Sequence, residues 1–189
     1  MNLTSETVSS KKTGVLWLVS PDRTDQDYEI ISERYERLEN STVQQRRPER
    51  IEQKIEDLFK SAKEQVFEDG MESEFSKELI SLVEKYGDVA MEVLAHLIVY
   101  EKVNAEVASE ALRWLGRMDH TPSYRYRLWL LERSLRCSSA RVRDGAVLGL
   151  ASLDDPDAIT HLKQAIQRER VEELRKDMEQ VILQLEDIR

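Results

Sequence analysis

The chain has 189 residues and a formal net charge of −9, with 40% hydrophobic and 34% charged residues. This length suits one domain with an appendage, and the acidic balance argues against general affinity for nucleic acids or anionic membranes. Its 6 glycines and 4 prolines are too few for an all-β fold with many turns. Because the single cysteine, Cys137, cannot form an internal disulfide and no secretory signal is evident, we expect a cytoplasmic protein.

Residues 1–47 differ from the rest of the chain and are predicted to form an N-terminal appendage that is partly mobile. Residues 1–13 are polar, and residues 15–19 (VLWLV) form either a short strand or an apolar plug. A helical face follows, made of Tyr28, Ile31, Tyr35 and Leu38. Residues 48–189 form the second predicted domain.

The first helix of this second domain is predicted to begin at Pro48. Its apolar stripe consists of Ile51, Ile55, Leu58, Phe59, Ala62 and Val66, and Gly70 is expected to end it. Four later helices share an apolar triplet at positions i, i+4 and i+8: Phe75/Leu79/Val83, Val107/Ala111/Leu115, Val142/Ala146/Leu150 and Leu174/Met178/Ile182. Successive triplets are 32, 35 and 32 residues apart, which indicates a structural repeat.

The helices between these triplets repeat as well. They carry the pairs Leu94/Leu97, Leu128/Leu131 and Leu162/Ala165, each 34 residues after the last. The turns Thr121-Pro122 and Asp155-Pro156 are also 34 residues apart, and each offers a capping residue followed by proline. One such helix pair cannot cover its own apolar faces, so the pairs must stack. The sequence predicts about three helix pairs and a C-terminal capping helix, 171–189, whose outer face is polar.

The pattern VR…A…L…LDDPDAI…L…AI of residues 142–166 resembles a HEAT-like repeat of the type found in phycobilisome lyases. The resemblance is close over residues 138–168 and looser over 72–137 and 171–189. It implies a right-handed α–α superhelix in which the second helix of each pair lines the concave side. It also implies an alternative function, that of a chromophore lyase or accessory factor acting on phycobiliproteins.

Residues 113–143 contain eight arginines and two acids, a local charge of +6 within the acidic chain. At about 100° per residue, one face of the helix after Pro122 gathers Arg125, Trp129, Arg133 and Arg136. The resemblance places this face in the groove, and arginine and tryptophan are enriched at binding hot spots. The structural alternative is that the arginines pair with acids of adjacent repeats, such as Glu92, Glu101, Asp144 and Asp157.

The preceding helix, predicted over residues 88–101, is apolar almost all round and therefore buried on several sides. By the 34-residue step, Met91, Ala95 and Val99 correspond to Arg125, Trp129 and Arg133, so these three residues are predicted to line an apolar part of the groove. Either the N-terminal segment or a partner covers that part. We expect the N-terminal segment to do so, as a lid.

No motif for catalysis stands out. The three histidines, His96, His120 and His161, are separated and lack the spacing of a zinc site, and no glycine-rich phosphate loop is present. We therefore expect no metal and no cofactor. The leading prediction is a non-catalytic scaffold whose concave face binds an acidic or amphipathic segment of another protein. The alternatives are the phycobilisome-related lyase and, third, nucleic-acid binding through residues 113–143.

Overall fold

The computed structural model describes residues 46–67 and 71–187. The chain divides into two units, Met1–Arg46 and Arg47–Arg189, and the described residues lie almost wholly in the second. The predictions made for the N-terminal appendage, its apolar segment and its role as a lid therefore lie outside the described residues, as does the predicted helix end at Gly70.

The described chain is entirely helical apart from its turns, which confirms the all-α class. Three short 3-10 turns lie at Ala62–Glu64, Thr121–Ser123 and Pro156–Ala158. The α-helices in this part of the chain are α1 (Arg46–Ser61), α2 (Glu74–Tyr86), α3 (Asp88–Val99), α4 (Ala105–Arg117), α5 (Tyr124–Ser134), α6 (Ala140–Leu153), α7 (Ile159–Ile166) and α8 (Glu172–Asp187).

The helices pack as successive pairs in two layers. In the first layer α2, α4, α6 and α8 contact one another in that order, while α3 and α5 pack together in the second layer and α7 packs on α8. Every member of the four predicted apolar triplets is buried, and so is every member of the three predicted pairs. The stacked repeat predicted from the spacing is thus the arrangement that forms the core.

The closest approach in the stack is between α4 and α6. A Cβ atom added to Gly145 would lie 2.5 Å from Cα of Ser109, and one added to Gly149 would lie 2.6 Å from the carbonyl oxygen of Leu112. Gly116 likewise faces the main chain of Gly149. The two helices therefore touch main chain to main chain, which only residues without a side chain allow.

The predicted turn after α6 is confirmed. Asp154 takes the left-handed conformation at φ 59°, and the Asp155 carboxylate accepts a hydrogen bond of 2.8 Å from the Asp157 amide. Pro156 then begins a 3-10 turn, where it needs no amide hydrogen. The equivalent turn differs from its prediction, because His120 precedes the 3-10 turn and Thr121 already belongs to it, so Thr121 is not the cap.

The prediction for the end of the first helix is wrong at Val66. Helix α1 ends at Ser61, the 3-10 turn ends at Glu64, and Gln65 is extended (φ −76°, ψ 141°). This change of direction takes Val66 off the apolar stripe and leaves its side chain 91% exposed. The other five members of that stripe are buried.

Candidate protein interface

The site predicted from the sequence lies on α5. Its inner side is formed by Leu128, Leu130 and Leu131, which are at most 1% exposed. Every residue of α5 that is not buried is either aromatic or arginine: Tyr124, Arg125, Tyr126, Trp129 and Arg133. The outer side of this helix is therefore both basic and aromatic, and it includes no acidic residue and no aliphatic one.

We call the four predicted residues Arg125, Trp129, Arg133 and Arg136 the α5 stripe. Arg125 and Arg136 are exposed, while Trp129 and Arg133 are half-buried. Arg125 makes no ion pair with another described residue, whereas Arg133 and Arg136 take part in further interactions within the chain. The stripe is thus exposed at its two ends and partly covered at Trp129 and Arg133, and Arg125 is its most available charge.

Trp129 is held in place by a neighbouring ring. Its indole meets the ring of Tyr126 edge to face, with centroids 5.4 Å apart and an interplanar angle of 88°. Trp129 also packs against the core. An aromatic ring fixed in this way presents apolar surface to a partner without losing much freedom on binding.

Two of the residues predicted to line the apolar part of the groove, Met91 and Ala95, are 0% and 5% exposed, and the third, Val99, is half-buried against the core. Their role at a partner surface stays a prediction. The exposed residues of this region are His96 and Tyr100, whose rings lie 5.3 Å apart at 72°. A step of 33 rather than 34 residues would equate these two exposed residues with Trp129 and Arg133, which are half-buried.

Sequence reasoning missed the role of Arg127, which is 1% exposed. Its guanidinium donates hydrogen bonds to the carbonyl oxygens of Leu115 (2.6 Å) and His120 (3.2 Å) and to Oγ of Ser123 (3.2 Å). Burial lowers the pKa of Arg127. This arginine ties α5 to the end of α4, and it is not available to a ligand.

Other arginines of the 113–143 region pair within the protein, as the structural alternative predicted. Arg141 contacts the carboxylates of Glu106 at 2.6 Å and of Asp144 at 2.9 Å. Arg113, which is buried, lies 3.6 Å from Glu110. The predicted acceptor Glu101 instead accepts hydrogen bonds from the amide and hydroxyl of Ser138, which lower its pKa.

Arg143 forms a two-pronged ion pair with Glu169, which follows α7. Its Nε and Nη2 donate to the two carboxylate oxygens at 2.7 and 2.9 Å. The Glu169 side chain is 1% exposed, and the hydrogen bond from Arg143 lowers the pKa of this carboxyl to about 2. Buried, bidentate pairs of this kind fix the position of one repeat against the next. Within residues 113–143, the α5 stripe is therefore the main surface left for binding a partner.

Cys137 is buried, and burial raises the pKa of its thiol to about 11, so the reactive thiolate is scarce at neutral pH. Among residues 46–67 and 71–187, no group of His, Cys, Asp or Glu side chains is placed to hold a metal ion. Within the same ranges, no helix is both long enough and apolar enough to cross a bilayer.

Residues 92–182, which include α5, match the family model described as HEAT repeats. No curated protein and no solved structure matches the chain. Together with the stacked helix pairs, the match confirms the predicted HEAT-like solenoid. HEAT repeats generally act as scaffolds for protein–protein interaction.

Proposed function

We propose that this protein is a non-catalytic scaffold whose α5 stripe binds an acidic or amphipathic segment of another protein. The observation that carries the proposal is that α5 turns only arginine and aromatic side chains outward, in a chain whose net charge is −9. Guanidinium groups bind carboxylates bidentately, and a desolvated tryptophan between them supplies apolar contact.

The packing beneath the stripe supports this function. The stripe lies on a helix whose opposite side is buried, and Arg127 fixes that helix to the Leu115 carbonyl of α4 and to the His120 carbonyl of the following turn. A binding surface held this firmly loses little conformational entropy when a partner docks. More of the contact energy then appears as affinity.

The test compares two triple variants that remove the same charge. In the first, Arg125, Arg133 and Arg136 are changed to serine; in the control, the exposed residues Arg50, Arg168 and Arg170 are changed to serine. Partners recovered from native lysate by the wild type should be lost from the first variant and kept by the control, while circular dichroism shows both folded. Recovery of the same partners by the stripe variant would contradict the proposal.

A direct binding measurement removes the dependence on a lysate. A labelled amphipathic peptide that alternates glutamate with leucine should bind the wild type, and binding should weaken as salt rises. The same peptide with lysine in place of glutamate should not bind, because its charges then repel the arginines. Equal affinity for both peptides would show that the stripe is not the binding surface.

Two other functions predicted from the sequence have their own tests. The chromophore-lyase alternative is supported by the resemblance of residues 142–166, and it requires a covalent coloured product when the protein is mixed with bilin and an apo-phycobiliprotein. Nucleic-acid binding through residues 113–143 requires affinity for DNA or RNA that falls steeply with salt. Both are less favoured, since Cys137 is buried and Arg113, Arg127, Arg141 and Arg143 are already engaged within the protein.

A further inference from the structure

Helix α8 carries on its outer side a set of residues with the same spacing as the α5 stripe. Glu179, Leu183 and Asp187 follow at i, i+4 and i+8, and all three are exposed. Leu183 is 63% exposed, whereas the inner side of the same helix (Leu174, Met178, Val181, Ile182 and Leu185) is buried. We call these three residues the α8 stripe.

The charge of the α8 stripe is not neutralised by its neighbours in the described chain. Glu186 pairs with Lys163 at 2.7 Å, and Glu172 pairs with Lys176 at 2.8 Å. Glu179 and Asp187 make no such pair with another described residue. The last turn of α8 contains no basic residue, and the C-terminal end of a helix carries partial negative charge of its own. This end of α8 therefore attracts cationic groups.

We propose that the α5 stripe of one copy of this chain binds the α8 stripe of a second copy. Arg125, Trp129 and Arg133 then face carboxylate, leucine and carboxylate at matching intervals of about 6 Å along each helix. Two charge pairs flank one contact between the tryptophan and the leucine. This inference rests on the proposed function of the α5 stripe as a docking surface. The partner that docks there is a second copy of the same chain.

This contact joins two different surfaces, so it is heterologous. Each copy that uses its α5 stripe still has its α8 stripe available, and the reverse also holds. Head-to-tail association of this kind continues into open chains or closes into rings, and it does not stop at a two-fold dimer. The mass of the assembly should therefore rise steadily with protein concentration.

The experiment uses two full-length variants that each lack one surface. R125E/R133E loses the α5 stripe, and E179R/D187R loses the α8 stripe. Sedimentation should show each variant alone as a monomer, at concentrations where the wild type associates, with affinity reduced about tenfold or more. The mixing experiment removes the charges without reversing them. R125S/R133S and E179S/D187S, mixed in equal amounts, should form a dimer and nothing larger, because each retains the surface that the other lacks and their two neutral surfaces do not attract each other.

Two controls complete the design. E173R/D177R makes the same change of charge at exposed positions to one side of the α8 stripe and should associate like the wild type. A chain carrying all four reversals, R125E/R133E/E179R/D187R, should associate again, since its charges are exchanged between the two stripes. If R125E/R133E is not folded by circular dichroism, R125E alone replaces it, because Arg125 is exposed and makes no ion pair with another described residue.

Three results would overturn the inference: a wild type that stays monomeric at the highest concentration, single-surface variants that still associate, or a mixture that does not dimerise. A monomeric wild type leaves the proposed function standing, because that function is tested with partners and peptides other than this chain. Loss of both self-association and foreign partners in R125E/R133E supports the α5 stripe in both roles.

Discussion

Arg127 Nη1 in α5 donates a hydrogen bond of 2.6 Å to the carbonyl oxygen of Leu115 in the last turn of α4. Carbonyl groups in the last turn of a helix have no partner within the helix, so a side chain or water must satisfy them. A second bond from Arg127 to the His120 carbonyl extends the same role into the following turn. The buried guanidinium of Arg127 thus satisfies the C-terminal end of α4 and holds α5 against it.

Replacing Arg127 with methionine should lower the free energy of unfolding by about 3 kcal/mol, because the buried Leu115 carbonyl loses its guanidinium donor and the His120 carbonyl keeps only its bonds from Ser123. Urea unfolding at pH 7 measures the change. The matched control is Arg125→Met on the same helix, where the side chain is exposed and the expected change is below about 0.5 kcal/mol. Equal effects at the two positions would contradict the assigned role of Arg127.

Stability should depend on pH through Glu169. The folded pKa of about 2 lies below the ordinary value of 4.5, so the ionised carboxylate stabilises the fold above pH 4.5, and this stabilisation is lost as the pH falls towards 2. Glu169→Gln should cost about 2–3 kcal/mol at pH 7 and flatten the decline between those pH values. Urea titrations from pH 3 to 7 test this, with exposed Glu173→Gln as a control that keeps the wild-type profile.

Gly145→Ala should destabilise the protein, although alanine is the better helix former. In an ordinary helix the change stabilises by about 0.5–1 kcal/mol, but here the added methyl group would lie 2.5 Å from Ser109 Cα, and we expect a loss of about 2–3 kcal/mol. Thermal unfolding followed by circular dichroism at 222 nm shows whether the melting temperature falls, as expected, or rises. Ser152→Ala, at an exposed position of the same helix, should change stability by less than about 0.5 kcal/mol.

Two buried serines should respond to alanine in opposite directions. The hydroxyl of Ser109 is buried and has no hydrogen-bond partner among the described residues, so Ser109→Ala should raise the free energy of unfolding by about 1 kcal/mol. Ser76 completes the capping box at the start of α2 with Ser73, and Ser76→Ala should lower it by about 1 kcal/mol. Shifts of the same sign in the two melting temperatures would show that one of these assignments is mistaken.

The fold was largely predictable because the repeat depends on helical periodicity. Apolar residues at i, i+4 and i+8 define the inner side of a helix, and every triplet found this way is buried. Periodicity does not show how much of the circumference of a helix its neighbours cover. Because α5 packs against α3, α4 and α6, more of its circumference is covered than its leucines indicate, and Arg127 becomes internal although Arg125 two residues earlier is exposed.

The candidate site was predicted in part for a related reason. On α5 the angular positions of Arg125 and Trp129 follow directly from 100° per residue, and both reach the surface. On α3 the residues were assigned by a fixed 34-residue step, and a shift of one residue turns a helix by about 100°, which exchanges inner for outer positions. The assignment of Met91 and Ala95 therefore depends on that step being correct to the residue.

The direct meeting of α4 and α6 at Gly116, Gly145 and Gly149 has a mechanical consequence. Between most helices a layer of side chains can change rotamer and absorb small displacements, but backbone atoms in contact have no such compliance. Elastic bending of the array should therefore concentrate at the junctions of α2 with α4 and of α6 with α8. The α5 stripe lies beside the stiffest junction, so a partner that pulls on it transmits force to the whole array with little local deformation.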